Sequence, residues 1–162
     1  MAVDMFIKFG DDIKGESQDK AHPGAIDVLA WSWGMSNSGS MHMGTGGGTS
    51  KVSIQDISFT KYVDAASNLL IMHCCDGKHI AKASLVCRKS GGKHLEYIKI
   101  DLEGVMISAV STGGSGGEDR LTEHVTLNFS KFKFVYTPQK ADGSPDKEKE
   151  VGWDIPKHAS AK

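Results

Sequence analysis

The stretch Ile26-Asp27-Val28-Leu29-Ala30-Trp31-Ser32-Trp33-Gly34-Met35 is the most strand-like in the chain, and its reading sets the fold class. Side chains alternate across a strand, so Leu29, Trp31, Trp33 and Met35 share one face and Val28, Ala30, Ser32 and Gly34 the other. The first face is bulky and is predicted to fill a core, each aromatic side chain burying on the order of 150–250 Å². The second is small and nearly featureless, as a lining would be.

Working outward from this strand, more β-structure is expected on both sides. Val3 to Phe9 alternates loosely as a strand, Gly10-Asp11-Asp12 supplies a turn, and a short element is expected over Ile13 to Ser17. Val52 to Phe59 reads as a strand whose alternation changes phase near Asp56, as a bulge would produce. Further strands are expected at Ala81–Lys89, Glu96–Ser111 and Leu121–Thr137, with Gly91-Gly92-Lys93 as a hairpin turn between the first two. In Leu121–Thr137 the apolar set is Leu121, Val125, Leu127 and Phe129, then it slips by one to Phe132, Phe134 and Tyr136. That slip predicts a bend near Ser130-Lys131, where the chain passes from one sheet to another. After a charged turn over Lys140–Glu150, Val151, Trp153 and Ile155 make a closing strand that Pro156 ends.

One helix is expected, over about 65–75. Asp64 or Ser67 is placed to cap it, Ala65, Leu69 and Met72 share a face, and Gly77 stands where a left-handed C-terminal residue is wanted. The fold class is therefore mainly β: a small barrel of two antiparallel sheets with one flanking helix. Residues 1–156 form the single domain, and 157–162 are expected to be a disordered tail.

Two glycine-rich loops interrupt this plan, Ser36–Ser50 and Ser111–Glu118. The first holds almost no group able to pack, and its glycines make a fixed backbone entropically expensive, so it is expected to be long and mobile. Segments of that kind in compact domains usually serve a partner.

Composition narrows the function. Nineteen basic and twenty acidic residues among 162 give a formal charge of −1, which offers no field for nucleic acid or an anionic membrane. The amino terminus carries Asp4 and begins alternating at once, unlike a secretory signal. No stretch approaches the apolar length of a membrane-spanning helix. Three cysteines, two of them adjacent at Cys74 and Cys75, set no disulfide framework and fit a reducing compartment.

The sharper chemical readings are outweighed by plainer ones. His73, Cys74, Cys75 and His79 suggest a metal site, yet adjacent helical cysteines project about 100° apart and no second ligand pair completes a tetrahedron; thiols packing as small apolar groups explain them better, and Cys87 likewise. Pairing Ser40 or Ser115 with His42 or His124 as nucleophile and base has no G-x-S-x-G elbow to support it. Glu118-Asp119 follow a glycine run without the lysine or the helix start of a phosphate loop. Met41-His42-Met43 is a thin soft-metal set and reads instead as adaptable contacts at a loop tip. No catalytic, cofactor or metal residue is assigned.

The runs IDVLAWSWGMSNSGSMHMG, FTKYVD and STGGSGGEDRLTEHVTLNF, with MAVDMFIKFGDDIKGES, KADG and the closing VGWDI, resemble the hemolysin-coregulated protein (Hcp) family of bacterial type VI secretion systems over nearly the whole chain. The resemblance implies a non-enzymatic β-barrel, six copies closing into a ring, and rings stacking into the inner tube of a contractile injection machine. It further implies a sheath around the tube, a VgrG-type spike at its tip, effector proteins carried in the lumen, and no nucleic acid, membrane insertion or cofactor. The protein would assemble in the cytoplasm and then be secreted without a signal peptide. Some family members carry a fused C-terminal toxin domain; none is expected here. In that frame Val28, Ala30, Ser32 and Gly34 would meet cargo, and Ser40, Met41, His42, Met43, Gly113, Gly114, Gly116 and Glu118 would contact neighbouring rings. The rival expectation is a monomeric β-sandwich binding module, for carbohydrate for example, that uses the glycine loops for recognition; a small hydrolase is a third.

Overall fold

The computed structural model describes residues 2–44, 48, 50–91 and 94–161. In chain order they form β1 (Val3–Lys8), β2 (Ile26–Asp27), β3 (Ala30–Ser32), β4 (Met35–Ser36), β5 (Ser53–Ile54), β6 (Ile57–Tyr62), α1 (Ser67–Asp76), β7 (Ile80–Lys89), β8 (Leu95–Thr112), β9 (Thr122–Asn128), β10 (Lys131–Tyr136), β11 (Lys149–Asp154) and β12 (Ala159–Ser160). One antiparallel sheet has the order β12-β11-β10-β8-β7-β1-β2, and a second is β3-β6-β9 joined to the far half of β8. β4 and β5 make a separate two-stranded ribbon.

Two corners join the sheets. At the first, β8 runs through both: its stretch up to Val105 pairs with β7 and β10, and Met106–Thr112 pairs with β9. Gly104 makes this turn possible, because its φ of +61° is strained for any other residue and an added Cβ would sit 2.3 Å from Ser130 Oγ. Ser130 itself lies in the gap between β9 and β10, and its N–H and hydroxyl both donate to the Glu103 carbonyl, at 3.0 and 3.1 Å. The bend expected near Ser130-Lys131 is therefore present, and β9 and β10 belong to different sheets.

The second corner corrects the reading of Ile26–Met35 as one strand. Val28 N–H donates to the Met5 carbonyl (2.9 Å), whereas Leu29 N–H donates to the Thr60 carbonyl (2.8 Å). Within one peptide step the chain leaves β1 for β6. The alternation is broken there: Val28 points into the core and Leu29 is 40 % exposed. The ladder lapses between β2 and β3, so the two sheets enclose the core as an incompletely closed barrel.

That core includes Ile7, Phe9, Ile57, Leu85, Ile100 and Leu127, all buried, each worth about 1.5–3 kcal/mol of transfer free energy before chain entropy is subtracted. Trp33, Phe129 and Phe132 pack edge to face beside it, with the Trp33–Phe132 centroids 4.8 Å apart. Trp31 and Trp33 are only partly buried, and Met35 is exposed.

Several other expectations shift. Ile13–Ser17 forms no regular element; Ile13 makes an isolated bridge to Phe9, and Gly15 and Ser17 bond to Gly24 and Ala25. Val52–Phe59 divides at Gln55-Asp56 into β5 and β6. Leu121 and Tyr136 are exposed where they were expected inside, while Val135 is buried. The helix ends at Gly77 in the left-handed conformation, as expected, with its N–H bonded to the His73 carbonyl. Its packed face, however, is Ala66, Ser67, Leu70 and His73, so Ala65, Leu69 and Met72 face outward. The C-terminal tail is not disordered throughout: Ala159–Ser160 pairs with β11. Of the hairpin turn Gly91-Gly92-Lys93, the last two residues lie outside the described residues, but the strands it was expected to join are antiparallel neighbours.

Candidate assembly surface

The outward face of the second sheet is built by register. Ala30 stands opposite Thr60, Ser32 opposite Ser58, Ser58 opposite Thr126, Thr60 opposite His124, Thr126 opposite Ala109, and His124 opposite Ser111. Residues of the other parity, such as Phe59 and Val125, enter the core. The result is a surface of hydroxyl and methyl groups on which no strand position holds a lysine, arginine, aspartate or glutamate. Side chains bond across the strands, Ser58 Oγ to Thr126 Oγ1 at 3.1 Å and Thr60 Oγ1 to His124 Nδ1 at 2.9 Å. Two hollows mark this face. One of 190 Å³ is lined by Ala30, Ser32, Ser58, Thr60 and His124. The other, of 360 Å³, is lined by Ser111, Thr112, Gly113, Gly114, Ser115, Glu118, Thr122 and His124.

Both margins of this sheet are unpaired. β3 bonds only to β6, and the Met106–Thr112 half of β8 bonds only to β9 among the described residues. Free strand edges of this kind template pairing with another chain. Helix α1 packs on β8 and leaves Leu69, Ile71 and Met72 exposed, with Val63 also exposed before its start.

The structure distributes the residues singled out by sequence as follows. Ala30 and Ser32 are exposed on the hydroxyl face, and Gly34 is half-buried beside the Gln55 side chain. Val28 does not belong with them; at 6 % exposure it is a core residue and cannot line a surface. Ser40 precedes a 3₁₀ turn over Met41–Met43, and its hydroxyl donates to the Gly48 carbonyl and accepts from the Gly48 N–H. Met41, 79 % exposed, and His42 stand in solvent. Within Ser36–Ser50, residues 45–47 and 49 lie outside the described residues. Gly113 and Gly116 have open space around them, whereas a Cβ on Gly114 would meet Leu121 at 2.7 Å. Glu118 is exposed and its N–H donates to the Ser115 carbonyl.

His73 is buried on the packed face of α1, Cys74 is half-buried and Cys75 exposed. Among the described residues, no three His, Cys, Asp or Glu side chains gather as a metal site. Burial pushes the Cys87 thiol up. His124 Nδ1 bonds Thr60 and the Ser40 hydroxyl bonds Gly48.

Two charged clusters escaped the sequence reading. Lys61 is fully buried under the start of α1, where its ammonium pairs with Glu123, with Asp64 Oδ1 at 2.9 Å and with Ser67 Oγ at 3.1 Å. Ser67 Oγ also donates to Glu123 at 2.6 Å. At the other end of the barrel, Arg88 bonds Asp19 through both terminal guanidinium nitrogens (3.0 and 2.6 Å) and Asp4 at 3.1 Å, tying the 14–25 segment to β1 and β7. Its hydrogen bonds hold the Asp19 carboxyl well below the usual carboxylate range. Opposite charges 62 residues apart carry no local signal, although a lysine alternating with core residues in Ile57–Tyr62 was visible.

This arrangement, a small two-sheet barrel with a hydroxyl-rich face and open strand edges among the described residues, defines a β-domain of a kind found in known proteins. The family model for "Type VI secretion system effector, Hcp" matches residues 6–136, and the chain belongs to that family. It is 60 % identical to Protein hcp1 of Pseudomonas aeruginosa strain PAO1, over 99 % of this chain and 100 % of that protein. Its fold superposes on a solved type six secretion system protein with a TM-score of 0.92 at 28 % identity, covering 99 % of this chain and 100 % of the other. Hcp1 of Salmonella typhimurium gives 0.81 at 37 % identity, with 99 % and 100 % covered. The protein is accordingly a structural, secreted component of type VI secretion. No helix of the described residues is long and apolar enough to cross a membrane.

Proposed function

We propose that six copies of this chain close into a ring, that rings stack into the inner tube of the secretion machine, and that effector proteins travel in the ring lumen without any catalytic step by the tube. The observation that carries this reading is the hydroxyl-rich face bounded on both sides by edges unpaired among the described residues. A ring needs a head-to-tail interface made from two different surfaces of each subunit, and β3 and the far half of β8 are two such surfaces. Pairing β3 of one copy with β8 of the next continues one sheet around the circle and turns the hydroxyl face into a channel wall. Ala30, Ser32 and the neighbouring Ser58 and Thr60 then meet the cargo. The loop tip at Ser40, Met41, His42 and Met43 and the Gly113–Glu118 loop, including Gly114 and Gly116, supply contacts along the axis. A contractile sheath surrounds the tube and a VgrG-type spike closes its tip. The count of six is the one that the family resemblance implies.

Native mass spectrometry or light scattering tests the reading. A discrete six-subunit species is expected; a lone 17.4 kDa particle at every concentration and salt would favour a monomeric binding module instead. Ser32→Gln should leave ring size unchanged and lower effector retention in a pull-down, and unchanged retention would remove Ser32 from the cargo surface.

A further inference from the structure

We propose that His124 makes the channel face a binding site for carboxylate-bearing segments of passenger polypeptides, with affinity that rises as pH falls. The inference rests on the ring reading above and deepens it. His124 borders both hollows of the hydroxyl face, the 190 Å³ one beside Ser32 and the 360 Å³ one beside the Gly113–Glu118 loop. It is exposed, and in the register of β6, β9 and β8 it is flanked by Thr60 on one side and Ser111 on the other.

Chemistry singles this residue out. Histidine is the side chain suited to changing charge between about pH 5 and 8. Its neighbours in the strand register are hydroxyls and methyls, and the Asp56 carboxylate further along the same face is taken up by the Ser108 hydroxyl and the Asn128 amide, so in six copies the protonated side chains form a ring of positive charge. Thr60 Oγ1 lies 2.9 Å from Nδ1 and accommodates either state: its hydroxyl donates to a neutral Nδ1 and accepts from a protonated one. Nε2 has no hydrogen-bond partner among the described residues, which leaves its N–H to a ligand acceptor. The remaining titratable and charged groups facing the site are few. Tyr62 lies further along β6 with the Arg120 guanidinium 3.8 Å above its ring, and Glu118 lines the larger hollow. Glu118 is the one carboxylate lining either hollow and competes with a ligand carboxylate for the imidazolium.

The test uses the purified full chain, checked by light scattering at each pH, and a fluorescein-labelled Gly-Ser peptide carrying several glutamates, with its glutamine counterpart as control. Fluorescence anisotropy is expected to give binding of the glutamate peptide about tenfold tighter at about pH 5.5 than at about pH 8. His124→Gln should flatten that dependence, and His124→Lys should hold the glutamate peptide tightly at both ends. A pH slope that survives in His124→Gln, an equal slope with the glutamine peptide, or no binding to intact wild-type rings at any pH overturns the assignment. Scattering that finds no rings overturns the ring reading itself and this inference with it, so the two failures are distinguishable.

Discussion

Removing the buried ammonium of Lys61 should be among the most damaging single changes available in this fold. Lys61 is fully buried and holds three partners: Glu123, itself 1 % exposed, Asp64 and Ser67. Lys61→Met keeps much of the volume but leaves two carboxylates facing each other under α1 with no counter-charge. Breaking a buried pair from one side costs about 3–5 kcal/mol, since the stranded charge keeps its desolvation penalty and loses its compensation. For a chain of this length each kcal/mol lowers Tm by about 2–4 °C, so a fall on the order of 10 °C is expected. Thermal and urea unfolding of the single variant, of Glu123→Leu and of the double variant Lys61→Met/Glu123→Leu form a cycle. The double variant should be more stable than Lys61→Met alone, because it leaves one carboxylate without its counter-charge and not two, and that one, Asp64, still accepts from the Ala66 N–H. A Lys61→Met variant within about 1 kcal/mol of wild type, or a double variant showing purely additive loss, would refute this account of the cluster.

Two further changes test the corners and the far end of the barrel. Gly104→Ala should destabilise by at least about 1–2 kcal/mol in urea unfolding, from a positive φ and a Cβ against Ser130; Gly104→Ala/Ser130→Gly should recover the steric part only. Arg88→Met should remove the support that keeps Asp19 ionised. A carboxyl held below its unfolded value adds stability that is present above about pH 4 and is lost as the pH falls toward the folded value. The gap in Tm between wild type and Arg88→Met should therefore be constant from neutral pH down to mildly acidic pH and narrow only on stronger acidification; a gap that widens in acid would contradict the sign.

What the sequence conveyed and what it withheld divide along a physical line. The bend at Ser130 was legible because an apolar phase slip is written into consecutive residues, Phe129 against Phe132. Gly77 was legible because a glycine after a helical run meets a purely local demand. The partner switch at Val28-Leu29 was not, since alternation records only which residues share a face of an unbroken strand, and the break is made by Met5 and Thr60, distant in the chain. The packed side of α1 was misjudged by one position: Leu69-Leu70-Ile71-Met72 is apolar all round, so periodicity does not choose a face, and the face that packs covers the Lys61–Glu123 pair. Gly104 carries a signal of its own, a glycine in the interior of a long strand pattern. Of the surface residues, Ala30, Ser32 and Gly34 came from the small-residue alternation, whereas Ser58, Thr60, Thr126 and His124 joined them only through cross-strand register.

One strand, β8, serves as a beam common to both walls of the barrel. Load applied to one sheet therefore reaches the other along covalent backbone and not through side chains free to slip. The crossing point is clamped, because the Glu103 carbonyl takes two bonds from Ser130. A subunit braced in this way resists shear between its walls, which suits the role in a stacked ring proposed above.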